Sequence, residues 1–401
     1  MSEARIDSIA NESNTGGPVL SGITEFSGQQ YFIPPSGTTA ERPSDCPPGS
    51  IRFNTDSAHL EYWNGLVWLE FEATSNELGG PLEGAATDGV STSGTGTRAI
   101  FCNGHDGSDG TDHIDYITIS TFGNAQDFGD SDTATGTAGG ACSDRVKAVF
   151  AGGYLTNGNG RINTIQFVIM SSTGEVGDFG DLRGGDTGRR GNCMALSNST
   201  RGIFAGGSMH PSPNRTNAID YITIQSNGDS QDFGDISAGA ANGGGGPMAS
   251  SVRGVLCIGF LSPARVKNIE YITISTTGNS QEFGDLTQAK NGNASFCNST
   301  RGVTCGGEAP GEINTIEFLT IASTGNGQDF GDLTNVVSNN QGGGASSATR
   351  GVVGGGRRSS SRIQDISAIE IQSTGNALDF GDLSNTGRDH IAATSNGHGG
   401  L

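Results

Sequence analysis

The chain has 401 residues, 67 of them glycine and 12 proline, with 42 acidic and 22 basic side chains and a formal net charge of −20. Charged residues make up only 16%, too few for a solvated disordered chain, and glycine lacks the every-third-residue period of collagen. Residues 1–80 hold 11 acidic and 3 basic groups and the remainder is acidic too, which argues against a nucleic-acid partner.

No apolar run is long enough to cross a bilayer and no signal-peptide core is present, so neither membrane insertion nor Sec export is expected. Residues 31–73 begin with a proline-rich lead (Pro34, Pro35, Pro43, Pro47, Pro48) and contain both tryptophans. Asn64-Gly65 between LEYW and LVWLEF is a type I′ hairpin signal, and Ile51–Asn54 adds a third strand, so a small three-stranded β module is predicted. Residues 74–96, rich in Gly, Ser and Thr, read as a linker.

Residues 97–401 are organised by a repeat. The string DFGD begins at Asp127 and returns at Asp178, Asp232, Glu282 (as EFGD), Asp329 and Asp379, with start-to-start spacings of 51, 54, 50, 47 and 50 residues. Each copy offers strand-sized pieces. In the third copy these are a small-residue strand at 194–197, a strand from Arg201 to Ala205 that stops at a glycine pair, and an alternating piece. That piece sets Ile219, Tyr221 and Thr223 against Asp220, Ile222 and Ile224, and a last piece carries the DFGD phenylalanine. S-T-G-N at 323–326 and 373–376 supplies residues for a tight hairpin turn. Four strands every ~50 residues is blade arithmetic, and the fold class expected is all-β, a six-bladed β-propeller. Residues 387–396 look like the first strand of a seventh copy. The first copy has only a weak, glycine-rich counterpart at 88–96, so the C-terminal strand is expected to complete the first blade.

Two resemblances follow from these strings. The glycine pairs Gly152-Gly153, Gly206-Gly207 and Gly306-Gly307 resemble the Kelch double glycine, although the Kelch blade tryptophan is missing; the repeat length is also similar to that of chromatin-condensation-regulator propellers. PPSGTTAERPSDCPPGSIRFNTD with LEYWNGLVWLEF resembles a segment of tailed-phage virion proteins, notably fibre and appendage proteins, and TRGIFAGG, IDYITI and QDFGD look like repeats of such proteins. The resemblance implies a virion structural protein assembled in the host bacterial cytoplasm. Residues 1–30 would be an attachment segment to other virion proteins, and the chain would be oligomeric on the particle. The array would recognise a host-surface glycan or protein; the alternatives are a capsid, neck, collar or tail decoration and, third, a polysaccharide-degrading enzyme.

The motifs give no catalytic, cofactor or metal residue. The DFGD acids could hold a hard cation, but each copy offers two carboxylates around Phe-Gly without a D-x-D-x-D-G pattern. The reading adopted is that the phenylalanines wedge between blades while the acids satisfy turn amides. DFG here lacks every other kinase part, 242–247 is no phosphate loop, and the six histidines show no metal spacing. A basic residue enters the second strand of every copy (Arg98, Lys147, Arg201, Arg253, Arg301, Arg350), and a DFGD carboxylate is its expected partner. Cys102, Cys257 and Cys305 share one repeat position with Ala151, Ala205 and Gly354, and seven cysteines without a C-x-x-C read as reduced structural thiols. The loops after the glycine pairs differ between copies. Arg357, Arg358, Arg362, Arg265 and Lys267, with His210 and Asn214 of the third loop, are the candidate binding residues, suited to an acidic glycan or an acidic neighbouring subunit.

Overall fold

The computed structural model describes residues 34–56, 59–70, 97–155, 160–174, 176–209, 215–239, 241–242, 248–338 and 343–401. The segment 1–30, the linker 74–96 with its strand counterpart at 88–96, and both His210 and Asn214 lie outside the described residues. The chain divides into two compact units, Met1–Ser75 and Asn76–Leu401. Both are all-β, and the only helical elements among the described residues are two short 3₁₀ turns, Thr39–Glu41 and Gly185–Gly188.

The first unit holds four strands where three were expected: Ser36–Gly37, Ile51–Asn54, His59–Trp63 and Trp68–Glu70, paired in that order. The extra strand runs parallel to the second, with Ser36 opposite Phe53. Pro35 has no N–H to give, but its carbonyl accepts the Phe53 N–H at 2.8 Å, so a proline-rich lead can still form a sheet edge. The two-residue turn is corrected to a four-residue loop, because Trp63 pairs directly with Trp68. The Asn64 side-chain oxygen accepts the N–H groups of Leu66 and Val67, both at 2.8 Å, and so takes the place of a backbone acceptor.

The second unit contains six successive sheets of one plan. The third is typical: Met194–Ser197, Arg201–Ala205, Ala218–Thr223 and Gln231–Asp235 pair antiparallel in chain order. The fourth sheet has three strands, with an Ala249–Gly254 bridge in place of the first. In the first sheet that place is taken by Ala392–Ser395, which pairs along Ala99–Cys102. Its partner thus comes from the far end of the sequence, as the partial seventh copy suggested.

Strict alternation fails at one recurring place in the third strands. A bulge between Ile219 and Asp220 turns both side chains inward, and equivalent shifts occur at Ile269/Glu270, Ile316/Glu317 and Ile366/Ser367. DFGD is the cause. It is not a turn but the last strand of each sheet, and its glycine sits at φ between +139° and +155° in all six copies, a region open only to glycine. The S-T-G-N stretch is likewise no tight hairpin. Residues 321–327 separate two paired strands, and the Gly325 N–H donates to Phe283 O in the preceding sheet. The same bond recurs as Gly174 to Phe128, Gly228 to Phe179, Gly278 to Phe233 and Gly375 to Phe330, and the sixth sheet is reached by Gly123 of the first, bonded to Phe380; all six lie between 2.7 and 3.0 Å. Apolar clusters lie between neighbouring sheets, among them one that joins Phe101 and Ile117 of the first to Val352 and Phe380 of the sixth.

Candidate functional site

Each recurring cation is spent on the sheet that follows it. Arg98, Arg201, Arg253 and Arg301 lie 4.3–4.4 Å over Tyr116, Tyr221, Tyr271 and Phe318, and Lys147 lies 4.7 Å over Phe167. Those rings meet Phe128, Phe233, Phe283, Phe330 and Phe179 edge-on. The guanidiniums then donate to main-chain oxygens of the next sheet: Arg98 to Met170, Arg201 to Ile274, Arg253 to Ile321 and Arg301 to Ile371, at 2.6–3.0 Å. Arg350 reaches Ile119 of the first sheet at 3.1 Å. Ala368 offers it no ring, so it lies 4.6 Å over Phe122 instead.

The DFGD acids are therefore not the partners of these cations. Asp127, Asp178, Asp232, Glu282, Asp329 and Asp379 are exposed, because the outermost strand turns its Phe inward and its first acid to water. Asp127 accepts its own Gly129 N–H at 3.1 Å, and Asp232 pairs with Arg183 at 2.7 Å.

The loop cations are also engaged. Arg265 pairs with Glu308 of the next sheet at 2.7 Å and donates to Asn291. Arg362 faces Asp389 beside the first sheet at 3.3 Å, and Arg357 lies 3.8 Å from Glu312. Lys267 and Arg358 pair with Asp285 and Asp365, at 3.0 and 3.4 Å. Arg357, Arg358 and Arg362 share one hairpin, with Arg357 opposite Arg362, while Arg265 and Lys267 stand in the fourth copy, and each of the five lies beside an acid. The loops themselves fold as short hairpins, such as Arg357–Arg358 with Ser361–Arg362, which bring Arg265, Arg357 and Arg362 to acids of neighbouring copies.

Three equivalent shallow grooves, of about 290, 330 and 230 Å³, lie between the third and fourth strands of the first, third and fourth sheets. Each is lined by a tyrosine–glutamine couple. Tyr221 and Tyr271 donate to Gln231 and Gln281 at 2.6 Å, and Tyr116 donates to Gln126. Among the described residues one set of potential metal ligands converges, Asp112, His113 and Asp130. There His113 Nδ1 lies 3.2 Å from Asp130 while Nε2 meets the Asn385 amide at 2.9 Å. With Nε2 accepting from that amide, the ring proton sits on Nδ1 and bonds the carboxylate, a rim contact that needs no ion.

Sequence reading missed a row of buried charges. Asp115, Asp220 and Glu317 occupy one third-strand position, and Arg388, Arg190 and Lys290 stand just before the matching first strands. Lys290 meets Glu317 at 2.7 Å and Arg190 meets Asp220 at 2.5 Å, while Arg388 pairs with Asp115. The signal was present as a lone acid inside I-D-Y-I-T and I-E-F-L-T. All seven cysteines are free thiols, and burial pushes Cys257 and Cys305 up to about 12 and Cys297 up to about 11.

The first strands are stitched by small hydroxyls. Ser395 donates to Ser346 O, Ser346 to Cys297 O at 2.6 Å, and Ser197 to Ser143 O at 2.7 Å. Residues 396–401 end among them. His398 Nε2 lies 3.2 Å from Ser197 Oγ and 3.3 Å from Ser143 O, while its Nδ1 accepts the Gly400 N–H. Burial holds this imidazole neutral, with its pKa lowered to about 4. The buried charges, the six buried thiols and the His398 imidazole thus have structural partners or are sealed off. No family model matches the sequence, and no curated protein matches it.

Proposed function

We propose that the chain is a structural protein of a tailed-phage particle. Residues 97–401 are a six-bladed β-propeller displayed as a fibre or appendage for recognition of the bacterial surface, glycan or protein. The observation that carries the reading is the cyclic succession of glycine-to-phenylalanine bonds from each sheet to the next, with Gly123 of the first on Phe380 of the sixth. Such a scaffold is rigid and leaves its loops free to differ, which is how recognition surfaces are built. The phage resemblance of residues 34–70 and of the repeats supports the same reading. The attachment region is assigned to residues 1–75, with other virion proteins as partners and no cofactor.

A capsid, collar or tail decoration is the second reading. It is favoured by the pairing of the loop cations Arg265, Arg358 and Arg362 with acids of this chain, which leaves little free charge for a receptor. Purified full-length chain, added before phage, should bind host cells and block adsorption. Absence of both effects, with labelling of the chain on the capsid or collar of intact particles, would replace the first reading by the second.

A further inference from the structure

We infer that Arg161 and Arg215 form a binding site for an acidic polysaccharide, carried on the loop hairpins of the second and third sheets. These hairpins follow one plan. The residue after the recurring glycine stands opposite a residue of the returning strand: Tyr154 opposite Arg161, Ser208 opposite Arg215 and Phe260 opposite Arg265. The returning residue reaches toward the next sheet. At three junctions it meets the opposite charge: Arg265 pairs with Glu308 at 2.7 Å, Glu312 lies 3.8 Å from Arg357, and Arg362 faces Asp389 at 3.3 Å. In the second and third hairpins the acid is missing. Arg161 reaches Ser208, whose hydroxyl accepts its Nε–H at 3.1 Å, and Arg215 lies 4.6 Å over Phe260. Ser208 thus holds the place that Glu308 holds in the fifth copy.

Charge and geometry select the ligand. Opposed residues of an antiparallel pair project from the same side, so Arg215 leaves its hairpin beside the Ser208 hydroxyl that holds Arg161. Burial lowers the Arg161 pKa, Tyr154 works against that, and the charge of Arg215 lowers it further, as befits two cations with no acid between them. Among the described residues neither guanidinium has a carboxylate partner, the Arg161 Nη groups make no hydrogen bond, and Arg215 Nε is buried without one. The hairpin tips at 156–159 and 210–214 contain no Asp or Glu. In a chain of net charge −20 that places acids at three other junctions, two forks left without carboxylates suit anions brought from outside. Forks on successive hairpins call for anionic groups repeated along one ligand. Tyr154 and Phe260 beside them add aromatic surface for sugar C–H groups. The choice of a polysaccharide over an acidic peptide rests on the reading of residues 97–401 as a bacterial-surface binder.

Calorimetric titration of the full chain at roughly 150 mM NaCl screens the distant acids of this protein while close contacts persist. Dextran carrying carboxymethyl or phosphate groups should bind, the two probes telling which anion is preferred, and neutral dextran should not. Arg161→Gln and Arg215→Gln should each weaken binding about tenfold. Ser208→Glu should weaken it as much by another route, because the introduced carboxylate pairs with Arg161 as Glu308 pairs with Arg265. That variant should keep the denaturation midpoint of the wild type, which separates loss of the site from loss of the fold. Failure of both anionic dextrans to bind overturns the inference, as does binding that these variants leave unchanged, or poly-glutamate of matched charge binding as tightly. Host-cell binding that Ser208→Glu leaves intact would also refute the site, yet leave the bacterial-surface reading standing. A wild-type chain that binds an anionic dextran but no host cell would fail that reading and keep the cation pair.

Discussion

The two units use β-strands in opposite ways. In residues 34–70 the buried side chains are the polar Arg52, Asn54 and Glu61, and the sheet is held by Arg42, Arg52 and Glu61. In residues 97–401 the apolar side chains are buried between sheets, and the cations sit at the junctions, over rings and on carbonyls. The difference is one of redundancy. A repeated array buries each face by stacking its neighbour, so it needs no outside partner for its core. A single small sheet has no such neighbour of its own kind, so its described residues depend on a few buried ion pairs.

The comparison breaks most easily at the bulge glycines of the array. A Cβ on Gly234 would stand 2.4 Å from Gly278 O at φ +149°, so Gly234→Ala must displace main chain in two sheets. Its expected cost is about 4 kcal/mol, read as a lower denaturation midpoint of the array with the 34–70 amides unchanged. A loss under about 1 kcal/mol would mean that the sheets are not locked there. In the first unit the corresponding break is Glu61→Gln. Burial works against the Glu61 charge, but hydrogen bonds from Arg42 and Asn54 and the charge of Arg52 outweigh it and hold the carboxyl below its ordinary value. Losing that charge leaves two arginines short of a partner, at about 3 kcal/mol, and should unfold residues 34–70 alone by amide exchange. An array that melts with it would contradict the division of labour.

Acid should act on the array through His398. Its neutral form is buried and its pKa lies near 4, below the 6.5 of an exposed imidazole, so the unfolded chain binds the proton first as pH falls. The stability tied to His398 is complete above about pH 6.5 and declines toward pH 4, where about 3 kcal/mol is lost. In His398→Asn that part of the slope should vanish; an unchanged slope would assign it to other groups.

Much of this was legible in the sequence, and for identifiable reasons. The xFGD period, the glycine pairs and the stray strand at 392–395 are local signals, and they gave the sheet plan and the partner of the first sheet. What failed was long-range or depended on a side. The alternation of Ile51-Arg52-Phe53-Asn54 reads the same whichever face is covered; only the chain at Thr38–Pro43, which bonds Arg52, Glu61 and Trp68, decides that the polar side is inside. The bulge hides Asp220 and Glu317 in the core against the period of two. Sequence spacing likewise cannot tell that Arg265 and Glu308, on successive sheets, meet.

The smallest expected effect is the most direct test of how neighbouring sheets are joined. Arg201 lies over Tyr221 and donates to Ile274 O across the junction to the fourth sheet. A partly exposed cation–π contact contributes ~0.5–1 kcal/mol and a charged hydrogen bond to a carbonyl about as much or somewhat more, so Arg201→Ala should cost about 2 kcal/mol. Arg201→Lys keeps the charge but cannot span ring and carbonyl with a planar fork, and should recover less than half. The cost should also depend on the ring: Tyr221→Leu in the Arg201→Ala background should add less than Tyr221→Leu alone costs in the wild type. Strict additivity in that double-mutant cycle would mean that cation and ring act separately. The junction would then rest on the glycine–phenylalanine bonds and the apolar cluster between the sheets.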